Sequence, residues 1–203
     1  MPESIKELPI SPDERLRRVV ILCVAFMRNL AYLRGANEAP AGWDKNGGAL
    51  VLPDASFWRT VANNALEMCV LEFCKLFADE KGKHFWKTVV SNPDCFKTEL
   101  VRKLGFTEEQ YLSYLESFKK YRDKFVAHLD DERTMHAPQM DPAKIAVQYL
   151  HAWLVEHECR ADLLDLEHSS VGMLLNGYEV EKATARHIFR QIGEIGERRH
   201  EDT

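Results

Sequence analysis

The chain has five cysteines and no CxxC pair among them, so the paired-thiolate spacing of zinc ribbons and redox motifs is missing. Cys23, Cys69, Cys74, Cys95 and Cys159 are odd in number, and four of them stand in apolar helical context. They read as reduced, small hydrophobic side chains. Long apolar runs are also missing. The longest, Val19 to Met27, is nine residues, against the roughly 20 needed to span a bilayer. Met1-Pro2-Glu3-Ser4 lacks the charged and apolar regions of a signal peptide. The expectation is therefore a cytoplasmic protein with no membrane partner. Nor is positive charge in excess: the formal net charge is −5, which excludes general coating of nucleic acid and leaves only a local basic patch for RNA contact.

Period-two alternation, internal repeats and low-complexity linkers are all missing, which excludes a sheet protein and a solenoid. Glycine and proline concentrate in residues 35–54, where Gly35, Pro40, Gly42, Gly47, Gly48 and Pro53 predict a loop. Gly42 and Gly47 imitate the start of a phosphate loop. Gly48 and Ala49 stand where Lys and Ser/Thr are needed, so Mg-nucleotide chemistry has no ligands.

What is present is helical patterning in 203 residues, 45% hydrophobic and 29% charged, enough for a single domain over 1–203. A first helix is predicted over 12–34, capped by Ser11 and ended by Gly35, with Leu16, Val19, Val20, Cys23, Phe26, Met27 and Leu30 on one face. Residues 55–78 are apolar on most sides and predict the central helix. Short helical pieces are expected over 83–90 and 94–104. Thr107 with Gln110 forms a capping box ahead of a long helix. Further helices are predicted over about 142–166 and 180–197. The fold class is all-α, a bundle with long N- and C-terminal helices.

The chemistry concentrates in Tyr121-Arg122-Asp123-Lys124-Phe125-Val126-Ala127-His128-Leu129-Asp130. At 100° per residue Tyr111, Leu115, Phe118, Phe125 and Leu129 share one stripe, and Arg122 falls within it. A guanidinium stays charged at ordinary pH, so a core-facing Arg122 needs a partner. The spacing alone is weak, because an arginine followed by a histidine four to six residues on is expected about once or twice by chance in such a chain. On a straight helix Arg122 and His128 project about 120° apart and about 9 Å along the axis, too far for one compact site. Two copies paired about a two-fold axis would bring each arginine towards the partner's histidine. Such a site suits RNA, whose 2′-hydroxyl is an internal nucleophile. His128 would transfer protons, Arg122 would grip phosphate oxygens, Asp123 would orient one of them, and Lys119, Lys120 and Lys124 would hold flanking phosphates. No cofactor or metal is needed. The alternative is structural: Arg122 pairs with an acid on a neighbouring helix, His128 caps a helix end, and the lysines form a solvated face.

The stretch YRDKFVAHLD over 121–130 resembles the abortive-infection, AbiU-like branch of the HEPN superfamily. The likeness extends to Phe57-Trp58-Arg59, Asn63-Asn64-Ala65-Leu66, Leu71-Glu72-Phe73-Cys74-Lys75-Leu76-Phe77 and Lys83-His84-Phe85-Trp86-Lys87, so it covers about residues 55–150. The resemblance implies an antiparallel HEPN-like helical core over about 55–166 and a homodimer through the motif helices. In active members it implies a metal-independent endoribonuclease serving as a toxin or antiphage effector, with an antitoxin protein as a further partner. Arg122 and His128 would be its catalytic pair. Some branches carry a tyrosine two residues after the histidine, a target for modification by a partner enzyme. Asp130 stands there instead. Other superfamily members are noncatalytic RNA-binding or protein-interaction dimers.

His151, His157 and Cys159 form the other constellation. His157-Glu158 starts like a zinc-protease motif, but Ala161 replaces its second histidine, and a solvated helix face is the simpler reading. Trp58, Trp86 and Trp153 are expected as core or interface anchors rather than base-stacking platforms. Trp43, in the loop, is the tryptophan most worth locating.

Overall fold

Ser11 and Pro12 begin the first helix as their residue types dictate. In the computed structural model, which describes residues 10–38, 55–126, 136–159 and 170–201, Ser11 Oγ accepts from the Glu14 amide at 3.1 Å. Helix α1 then runs Pro12–Glu38. The order continues with α2 (Ala55–Phe73), α3 (Pro93–Leu104), α4 (Glu108–Tyr121), α5 (Met140–Trp153) and α6 (Val171–Glu201), with no strand among the described residues. The all-α class holds.

Helix α1 buries Leu16, Val19, Val20, Cys23, Phe26, Met27 and Leu30, the three-and-four spacing that keeps one face against neighbours. By length and composition it is apolar enough to cross a membrane. Its stripe is instead covered by α2, α5 and α6, while Arg17, Arg18 and Arg28 face outward. It is a core helix.

Gly35 does not end α1 as its residue type suggested. The helix passes through it to Glu38, and Gly35 is buried against α6. A Cβ there would lie 2.6 Å from Ala185 Cβ and 2.7 Å from the Lys182 carbonyl oxygen. The glycine therefore sets how closely α1 and α6 cross. Helix α6 also starts nine residues before the predicted position, at Val171, with Leu174 and Tyr178 joining the core.

Three helices, α2, α4 and α5, end in a single π-helical turn, at Cys74–Ala78, Arg122–Val126 and Leu154–Glu158 respectively. The predicted 83–90 helix is reduced to one 3₁₀ turn, Trp86–Thr88. The predicted 142–166 helix is α5 with its π turn, which closes at Glu158, while 160–166 lie outside the described residues.

Two aromatic groups fill the interior. Phe73 lies 4.9 Å from Phe77 and 4.2 Å from Phe118 between ring centroids, joining α2 to α4. Phe96 of α3 meets Trp86, Tyr149 and Trp153 at 4.7, 5.3 and 5.4 Å. Each fully buried phenylalanine contributes about 1.5–3 kcal/mol of hydrophobic stabilisation. Trp86 and Trp153 are thus anchors, as expected. The Trp58 side chain and Trp43 fall outside the description.

Candidate functional site

Thr107 and Gln110 form the capping box read from their spacing: the Thr107 amide donates to Gln110 Oε1 at 2.8 Å, and the Gln110 amide donates to Thr107 Oγ1 at 3.2 Å. From that fixed start, α4 turns Tyr111, Phe118 and Tyr121 into the core. At Arg122 the α-helix gives way to the π turn. A π turn is wider than an α turn, so the straight α register does not continue over Arg122–Val126, while Leu129 and the 120° angle from Arg122 to His128 lie outside the described residues.

Arg122 is largely shielded, with its side chain 22% exposed, and it is paired twice. Nη1 donates to Asp79 Oδ1, and Nε donates to Asp123 Oδ1 at 2.8 Å. These bonds, that to Asp123 foremost, raise the guanidinium pKa above its ordinary value. The charge is permanent. Asp79 is the first residue after the π turn of α2, and its amide donates back to the Cys74 carbonyl at 2.8 Å. The π turns of α2 and α4 thus meet at this ion pair.

Asp123, placed beside Arg122 in the sequence reading, is in direct contact with it. Asp79 was missed. It lies 43 residues from Arg122, and no local pattern marks it; only the need of Arg122 for a carboxylate hinted that one existed.

The lysines are arranged around the same end of α4. Lys119 Nζ lies 3.7 Å from Glu116 Oε2, Lys120 is exposed, and Lys124 is half-buried. Cys74, fully buried beside them, feels Arg122, Asp79, Asp123 and Lys119, but burial dominates and pushes its thiol up to about 12. It is no nucleophile at neutral pH. His128 lies outside the described residues.

The histidine and cysteine constellation of α5 does not converge. His151 is fully buried, whereas His157 is about half-exposed and packs edge-on against Trp153 with ring centroids 4.6 Å apart. Glu158 turns the other way, accepting from the Ser91 amide, Ser91 Oγ and Trp153 Nε1 at 2.8, 2.9 and 3.2 Å. Among the described residues no group of three His, Cys, Asp or Glu side chains is placed to hold a metal ion.

A second carboxylate was also missed. Glu72 of α2 is 4% exposed and accepts from Asn29 Nδ2 at 3.3 and 3.2 Å. Burial pushes it up to about 7. Its helical register among apolar neighbours was the available signal. Comparison with protein-family models, curated proteins and solved structures returns no match.

Proposed function

We propose that the chain is a metal-independent endoribonuclease of a toxin or antiphage system, acting at a composite site between two copies of the α4 end. The observation that supports this reading is Arg122, a permanently charged guanidinium held in fixed orientation by Asp79 and Asp123 at a π turn. A guanidinium has five N–H donors. Nε and Nη1 are engaged, and the Nη2 edge has no partner among the described residues. That edge suits a phosphate oxygen, with Lys119, Lys120 and Lys124 offsetting the two aspartates. In the reaction the ribose 2′-hydroxyl loses its proton to a base and attacks the adjacent phosphorus. The bond to the 5′-oxygen breaks as that oxygen takes a proton, leaving a 2′,3′-cyclic phosphate. His128 is assigned the proton transfers and Arg122 the developing phosphorane charge.

The paired Asp79 and Asp123 also favour a second reading, in which Arg122 is an internal latch between α2 and α4 within a noncatalytic RNA-binding or protein-interaction dimer. Cleavage of total RNA and tRNA by the full chain in EDTA separates the two, with Arg122→Ala and His128→Ala assayed beside their melting temperatures. Cyclic-phosphate products lost in both variants, with His128→Ala fully folded, support the ribonuclease. Equal cleavage by wild type and variants overturns the catalytic assignment. Salt-sensitive RNA binding without products establishes the noncatalytic dimer.

A further inference from the structure

The outward side of α1 near its start carries Arg18, Ile21 and Leu22, the three-and-four spacing that aligns residues on one helix face. Lys75, in the π turn of α2, and His84, in the connection that follows, stand beside it. Together these five side chains line an open cavity of about 260 Å³ with an apolar floor. Ile21 is 47% exposed and is the part of this floor most open to a ligand. We propose that this cavity binds a nucleotide phosphomonoester, with the phosphate on the cationic rim and the base on the floor of Ile21 and Leu22.

Charge argues for the phosphate. Besides Arg18 and Lys75, the positive charges of Arg15 and Lys83 also reach His84, and after burial these four are what hold its imidazole below the ordinary histidine range. In a chain whose net charge is −5, four cations gathered around one histidine are a local field that favours a dianion. The opposing acids are few. Glu14 pairs with Arg18 at 2.5 Å, and Glu72, one turn before Lys75, is buried on α2 and hydrogen-bonded to Asn29. Among the described residues neither Lys75 nor His84 is in an ion pair. The larger cleft between α1 and α6, about 500 Å³, has a single cation in its wall, Arg28, which faces Glu181 at 3.7 Å.

Shape argues for the base. The cavity is open, and Ile21 and Leu22 lie in it beside the His84 imidazole, a surface on which a flat ring can lie. An acyl chain would need an enclosed slot, and a single carboxylate would use only part of the rim. The residues are separate from Arg122, so the proposal does not rest on ribonuclease activity.

The test is titration of the full chain with AMP, inorganic phosphate, decanoate and matched oligoribonucleotides bearing a 5′-phosphate or a 5′-hydroxyl, following the His84 ring signals by NMR. AMP or the 5′-phosphorylated strand is expected to saturate and to raise the His84 titration midpoint, because a bound dianion offsets its cationic neighbours. Lys75→Glu is expected to weaken binding at least about tenfold, one charge contact in phosphate recognition. Ile21→Asp is expected to abolish the preference for AMP over inorganic phosphate. Both positions are exposed, and melting temperatures confirm that the variants fold. Comparing AMP with the phosphorylated strand tells a free nucleotide from an RNA end. The proposal is overturned if AMP binds no better than phosphate, if decanoate binds better than AMP, if the 5′-hydroxyl strand binds as well as the phosphorylated one, or if Lys75→Glu changes nothing.

Discussion

Arg122 Nη1 donates to Asp79 Oδ1 across the meeting of two π turns, joining the ends of α2 and α4 although 43 residues separate the partners. Neither side chain is fully buried, at 22% and 36% exposed, so solvent screens the pair and its own contribution is modest. A double-mutant cycle of Arg122→Ala and Asp79→Ala in urea is expected to give a coupling of about 0.5–1 kcal/mol. Zero coupling would mean that the pair does not hold the two helix ends together in solution.

Gly35 and Ala185 set the crossing of α1 and α6. Because an added Cβ would meet Ala185 Cβ at 2.6 Å and backbone oxygen at 2.7 Å, Gly35→Ala is expected to force the helices apart and to cost about 1–3 kcal/mol. That outweighs the gain of about 1 kcal/mol that alanine brings to an exposed helix interior. A rise in the melting temperature of Gly35→Ala would contradict the close crossing. Ala185→Gly in the same chain is expected to recover part of the loss.

These two contacts mark how far the sequence was legible. Thr107 and Gln110 were readable because a capping box is complete within four residues, and the stripe of α1 was readable because helical period is local. Arg122 stood out for the same reason, as a charge in an apolar register. Its partner Asp79 was not readable, since nothing near either residue encodes a pairing made by tertiary packing. Gly35 was misread as a terminator for a related reason: near a helix end, local chemistry cannot distinguish a stop from a close approach by a distant helix. The π turns have no composition of their own, so the straight register was carried past Tyr121. The Arg122 environment was thus half legible, and His128 lies outside the described residues.

Glu158 ties the end of α5 to the segment before α3. It accepts from the Ser91 amide, Ser91 Oγ and Trp153 Nε1. Removing the carboxylate leaves three donors to solvent or to nothing, so Glu158→Ala is expected to destabilise by about 1–3 kcal/mol. Glu158→Gln keeps an acceptor and is expected to lose about half as much. Thermal melts of the two variants check the order, and equal losses would show that packing rather than hydrogen bonding holds this end.

Glu72 gives stability a pH dependence whose sign is opposite to that of a salt-bridged carboxylate. Burial raises its folded pKa from 4.5 to about 7, against the smaller opposing effects of Asn29 and Lys75. In that window the folded chain binds a proton that the unfolded chain has released, so this group's contribution falls as pH rises. The favourable protonated state is fully present below about 4.5 and lost through about 7. A shift of this size corresponds to up to about 3 kcal/mol. Glu72→Gln keeps the shape and an acceptor for Asn29 without the charge. It is expected to differ little from wild type at pH 4.5 and to be more stable at pH 8, as read from urea midpoints. A wild-type advantage that grew with pH would reverse the sign and show that the ionised Glu72 is better stabilised in the folded chain than in water.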